Sequence, residues 1–187
     1  MAAIKIEQTG IEGLVIVHPQ VFGDERGYFM ETYNQQTFNE AGLDMVFVQD
    51  NESRSRKGVL RGLHFQTKHS QGKLVRATEG TVWDVGVDLR AGSPTYGKWA
   101  GVTLSAENHT MFYIPEGFAH GFVVLSDTAT FNYKCTDFYH PEYDGGIRWN
   151  DPDIGVKWPV DDMDSLILSE KDEKQPFLKD VRDQLQF

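Results

Sequence analysis

The chain has 187 residues, with 28 Asp or Glu against 18 Lys or Arg, and a formal net charge of -10. Its 40% hydrophobic and 25% charged residues suit a soluble globular chain whose core needs no disulfide. That acidity excludes a general affinity for nucleic acid or an anionic membrane, although a local group of Arg and Lys can still hold an anionic small ligand within a Debye length of about 8 Å.

One domain over residues 1–187 is expected, with an N-terminal strand segment and a C-terminal arm from about residue 145. The opening MAAIKIEQTG lacks the apolar stretch of a signal peptide, and no run approaches the roughly 20 apolar residues of a membrane span. A cytoplasmic protein with no membrane partner is therefore expected. Strands are predicted over residues 14–17 and 28–33, then a short helix over 34–41 ended by Gly42. Further strands follow over 59–65, 73–78, 81–89, 99–104, 110–114, 121–125 and 130–138.

Their pattern has period two. Thr81, Trp83, Val85, Val87 and Leu89 alternate with Val82, Asp84, Gly86 and Asp88, which gives one strand two different faces. Glu79-Gly80 supplies a turn, so 73–78 and 81–89 are expected to pair as a hairpin. Gly92-Ser93-Pro94 and Pro115-Glu116-Gly117 punctuate the later strands. Many short strands with few helical stretches indicate an all-β sandwich or barrel. The last helical piece, 169–175, is capped by Ser169 with Asp172 three residues on. After about Gly145, Trp149-Asn150-Asp151-Pro152 and Trp158-Pro159 mark an arm rich in turns. The single cysteine, Cys135, cannot form an internal disulfide and reads as a small packed residue.

Two constellations carry chemistry: His64, Gln66 and Lys73, flanked by Gly62 and Gly80, and then Pro115, Gly117 and His120. Together they resemble the two motifs of the cupin superfamily, a double-sheet jelly roll. A metal-binding cupin has two histidines one residue apart and then a glutamate, where this chain has His64, Gln66 and Lys73. An ammonium has no lone pair to donate, so no metal is expected. The lysine suggests instead the stabilisation of a developing oxyanion.

Longer stretches sharpen the likeness. GYFME, VLRGLHFQ, QGKLVR, VDLRAGSPTYGKW, IPEGFAHGF, NYKCTDFY, IRWNDPDIG and LSEKD, spread from about Gly13 to Asp172, resemble the dTDP-4-dehydrorhamnose 3,5-epimerase family. The resemblance implies epimerisation of dTDP-4-dehydro-6-deoxy-D-glucose at C3 and C5, within dTDP-L-rhamnose and hence polysaccharide biosynthesis. No cofactor is implied. It also implies a homodimer in which the N-terminal segment pairs into the partner's sheet.

A C4 carbonyl acidifies the hydrogens on C3 and C5, so this chemistry needs a base, an acid on the opposite face and a cation at the C4 oxygen. His64 is the candidate base, since imidazole can be neutral at working pH. By resemblance its orienting carboxylate is Asp172; Asp84, on an alternating strand, is the other candidate. Lys73 is the candidate for the enolate oxygen and Tyr133 for the acid. Tyr139, six residues on, is expected on the same strand face as a substitute acid or stacking platform.

His120 resembles a family residue that binds the substrate. For the nucleotide end, Arg26, Arg61 and Lys171 match binding positions, with polar contacts from Glu31, Gln49, Asp50 and Asn51 and packing from Phe22 and Phe29. Asp144 stands where the family usually has glutamate, so a contact there is shorter, indirect or lost. His18, His69, His109 and His140 have no supporting pattern and read as surface or loop residues. Three alternatives stay open: an epimerase of C3 or C5 alone, a non-catalytic nucleotide-sugar-binding cupin, and a metal-dependent cupin enzyme.

Overall fold

The computed structural model describes residues 3–185 and 187. Two antiparallel sheets face each other. The six-stranded sheet runs β1 (Ile4–Gln8), β2 (Val15–Pro19), β10 (Met111–Ile114), β7 (Lys73–Glu79), β12 (Thr128–Cys135) and β5 (Gln49–Arg56) from edge to edge. The five-stranded sheet runs β13 (Asp144–Gly146), β6 (Leu60–Gln66), β11 (Phe118–Val124), β8 (Thr81–Asp88) and β9 (Trp99–Ser105). A hairpin of β3 (Val21–Asp24) and β4 (Gly27–Met30) stands apart as a two-stranded ribbon. This is the expected all-β, cupin-like jelly roll.

The period-two pattern sorts side chains into layers. Val75, Ala77, Val82, Phe112, Phe122 and Phe131 turn inward and pack between the sheets, with the Phe122 and Phe131 rings stacked 4.2 Å apart. On the back of the five-stranded sheet, Leu60, Leu63, Val85 and Val123 meet Ile147, Ile154, Trp158 and Leu178 from the C-terminal arm. The back of the six-stranded sheet is covered by the segment around α1 (Gln35–Glu40), whose Phe38 packs against Val17, Leu74 and Met111. Asn34 caps that helix, its side chain accepting from the Gln36 and Thr37 amides. The central strands of both sheets are therefore covered on both faces, which is why they carry so much apolar sequence, while the edge strands β1 and β5 keep one side exposed.

The expected hairpin of 73–78 with 81–89 does not form. β7 pairs with β10 and β12, whereas β8 pairs with β9 and β11, so Glu79-Gly80 is a corner that carries the chain from one sheet to the other. Gly80 takes φ +68 there, and a Cβ would lie 2.0 Å from the Thr128 carbonyl oxygen. The turn signal of Glu79-Gly80 is real, but its consequence is a change of sheet. The C-terminal helix α2 is shorter than expected, Glu170–Glu173, with Ser169 as its cap. Among the described residues, no helix is long and apolar enough to cross a membrane.

Candidate active site

The site begins with an irregularity in β6. His64 lies opposite His120, yet Arg61 lies opposite Phe122, so β6 carries one residue more than β11 between these pairs. Such a bulge breaks the alternation of faces. It lets Arg61 and His64, three apart in sequence, both line the cavity between the sheets, while Leu60, Leu63 and Phe65 join the outer core. Gly62 makes the bulge possible: its φ is +129, and a Cβ would sit 2.5 Å from the Gly121 Cα of the neighbouring strand.

Two histidine–carboxylate pairs stand side by side on this sheet. The His64 Nε2 and Asp172 Oδ1 are 2.5 Å apart; Asp172 is buried in α2, brought in by the C-terminal arm. Burial acts to raise the Asp172 pKa, but the His64 hydrogen bond and charge, the Ser169 hydroxyl and the Gly62 amide outweigh it and hold the carboxyl below its ordinary value. Asp84, the alternative partner for His64, is taken by His120, whose Nε2 lies 3.0 and 2.9 Å from its two oxygens. Asp84 is fully buried, and burial raises its pKa against the opposing pull of His120 and Lys73.

The facing sheet contributes Lys73 from β7 and Tyr133 from β12 to the same cavity of about 340 Å³. Burial lowers the pKa of the Lys73 ammonium, with Cys135, Asp84 and Asp144 opposing. Burial also raises the Tyr133 phenol, which keeps its proton at neutral pH. Gln49, Asn51 and Ser53, alternate residues of the edge strand β5, complete this wall. Arg61 Nη2 donates to the Ser55 hydroxyl at 3.1 Å, joining the two walls. At the rim, the Tyr139 hydroxyl donates to Asp144 Oδ2 at 3.1 Å, and Lys171 forms an ion pair with the same carboxylate. Asp144 lines the same cavity.

Several expected binding residues lie elsewhere. Phe22, Arg26 and Phe29 line a separate cleft on the β3–β4 hairpin, with Phe22 47% and Phe29 68% exposed. Glu31 accepts hydrogen bonds from Asn34 and Thr37. Asp50 points to the outer face of β5 and pairs with Lys134 at 2.9 Å. Tyr139 lines the cavity but not from a shared strand face, because β12 ends at Cys135. Ser53, Gln71 and Phe131, absent from the sequence reading, also line it; the period-two spacing of Gln49, Asn51 and Ser53 was the one available signal.

The cupin metal position corresponds here to His64, Gln66, Lys73 and His120. Lys73, as an ammonium, offers no lone pair, so only two histidines remain as nitrogen ligands. The Gln66 amide donates to the backbone oxygens of His69 and Phe138 and accepts from the His140 amide. This donor set does not fit a metal ion. What it fits is proton transfer between two faces of a planar intermediate, beside a cation.

The family model of dTDP-4-dehydrorhamnose 3,5-epimerase matches residues 8–180 of the chain. The dTDP-4-dehydrorhamnose 3,5-epimerase of Methanothermobacter thermautotrophicus is 60% identical over 172 residues, covering 92% of this chain and 93% of the relative. A Legionella pneumophila 3,5-epimerase crystallised with dTDP-4-keto-L-rhamnose aligns with a TM-score of 0.93 at 49% identity, over 98% of this chain and 97% of that one. A 3'-monoepimerase from Streptomyces bikiniensis in complex with dTDP-quinovose aligns with a TM-score of 0.87 at 35% identity, over 95% and 89%.

Proposed function

The chain belongs to the dTDP-4-dehydrorhamnose 3,5-epimerase family, and on that footing we propose how its own residues convert dTDP-4-dehydro-6-deoxy-D-glucose into dTDP-4-dehydro-L-rhamnose. His64 is the base. With Nε2 committed to Asp172, Nδ1 is left to take the proton from C3 and, in a second event, from C5. The C–H electron pair moves into the ring and onto the C4 oxygen, where the Lys73 ammonium holds the enolate. Tyr133 then protonates the carbon from the opposite face, and phenolate and imidazolium exchange protons with solvent. Asp172 is a positioning residue that fixes the His64 tautomer, as a carboxylate does in other histidine dyads. His120, held by Asp84 through Nε2, hydrogen-bonds the sugar with its other ring nitrogen, and Arg61, Gln49, Asn51, Ser53 and Tyr139 contact the rest of the ligand.

One observation carries this reading: a carboxylate-held histidine on one sheet and a protonated phenol with a lysine on the facing sheet share one cavity. The test is turnover in heavy water. Native protein is expected to place deuterium at both C3 and C5. His64→Ala should slow exchange at both carbons by about 10²–10⁴-fold while dTDP binding survives, and Tyr133→Phe should exchange without inverting. Exchange near the native rate in His64→Ala rules His64 out as the base. The likeness to a 3'-monoepimerase favours a second reading, inversion at one carbon, which label at a single carbon would establish.

A homodimer is also proposed. β1 pairs with β2 of its own chain and stands at the sheet's edge, where its other side is free to pair with a partner's sheet; a second element that can reach across is the β3–β4 hairpin. Its Phe22, Arg26 and Phe29 contribute to nucleotide binding only if they enter a partner's cavity, for which the open edge at β5 is the adjacent strand to pair. Light scattering should give twice the 21.2 kDa chain mass, and Arg26→Ala should raise KM more than it lowers kcat. A monomer with full activity would end this idea. A cytoplasmic setting is proposed because a charged nucleotide diphosphate does not cross a bilayer unaided.

A further inference from the structure

We propose that His69, Asp137 and His140 form a binding site for a divalent transition metal of the zinc class on the rim of the cavity, separate from the proton-transfer groups. The three offer ligand atoms that all lie within 4.8 Å of one another, the one such group among the described residues. The His69 Nδ1 lies 3.2 Å from Asp137 Oδ2, and the two imidazoles lie side by side with centroids 4.3 Å apart and planes 22° from parallel. Metal bonds of about 2.0–2.1 Å to imidazole would close this triangle by side-chain rotation.

Two further observations make it a built site. The first is Gln66, a buried side chain that accepts from the His140 amide at 2.6 Å and donates to the His69 carbonyl at 2.6 Å. One amide group therefore fixes the backbone of both histidines, which come from different loops. The second is Glu142, whose Oε1 lies 3.4 Å from His140 Nδ1. A carboxylate beside one ring nitrogen favours the other as the metal ligand, as carboxylates do for metal-binding histidines. Two nitrogens and one oxygen suit zinc, cobalt or nickel, and disfavour magnesium and calcium, which take oxygen ligands. The remaining coordination positions face solvent, where water fills them. A bound ion would tie the loop after β6 to the segment after β12, from which Gln71 and Tyr139 line the cavity.

The test uses tag-free, metal-stripped full-length protein titrated with Co²⁺ and with Zn²⁺. One equivalent per chain is expected, with the visible absorption of a nitrogen- and oxygen-ligated Co²⁺. His69→Gln and His140→Gln should each weaken binding by about tenfold or more, and the double variant should abolish it. Heavy-water exchange by the stripped protein and by the variants is expected to stay at the native level, which also reports that they fold. Absence of stoichiometric binding to the native chain, or binding unchanged in the double variant, overturns the site. Neither result bears on His64 and Tyr133, because ion binding is read directly and not through turnover.

Discussion

Because burial lowers the Lys73 pKa while the proposed chemistry needs its ammonium, activity and stability should respond to alkaline pH in opposite directions. A free lysine titrates near about 10.4, so Lys73 sheds its proton before a lysine in the unfolded chain does. In the window between the two values the unfolded chain holds more protons, and stability rises with pH. Activity falls across the same window, as the enolate oxygen loses its cation. The kcat profile should therefore bend down at a pH below the free-lysine value, while the melting temperature gains relative to Lys73→Met, which lacks this titration. An alkaline limb that persists unchanged in Lys73→Met would assign the titration to another group.

The β6 bulge makes Gly62 the sharpest test of how an element positions the site. Gly62→Ala combines a positive φ with a methyl pressed to 2.5 Å from the Gly121 Cα, and should lower stability by about 2–4 kcal/mol in denaturant titration. Gly27, at φ +128 with nothing near its Cβ position, is the control: Gly27→Ala should lose less, the difference being crowding between β6 and β11. Losses of equal size would leave the backbone angle alone as the cause. The histidines, Lys73 and Tyr133 were legible in sequence because family-like motifs and alternation carry them. The bulge was not, since one extra residue leaves no mark on composition. β5 was hidden for another reason: QDNESRSR sets one face to the cavity and one to solvent, so no apolar alternation betrays a strand. Asp172 was named by resemblance alone, because a contact 108 residues from His64 exists only once the arm has folded back. The corner at Gly80 reads in sequence as a hairpin because a turn between strands looks the same whether the chain stays in its sheet or leaves it.

At the scale of the whole molecule, the C-terminal arm ties folding to the proposed catalytic dyad, because it carries Asp172 to His64. Trp158 anchors it: buried, its ring meets Trp83 edge-on at 5.5 Å and its Nε1 donates to the Trp149 carbonyl at 2.9 Å. Trp158→Ala should remove about 3–5 kcal/mol and lower kcat as well, since α2 and its Asp172 ride on the same arm. Thermal melts and turnover should fall together; a lower melting temperature with unchanged kcat would show that α2 docks without the Trp158 anchor. If His64 is the proton acceptor and Tyr133 the donor, as proposed, their places on opposite sheets also have a stereochemical outcome. A sugar ring lying between them loses its proton toward one layer and regains it from the other, so handedness is written in the sandwich. Moving the phenol to the histidine's layer, without touching either functional group, would turn an inverting catalyst into one that merely exchanges hydrogen with water.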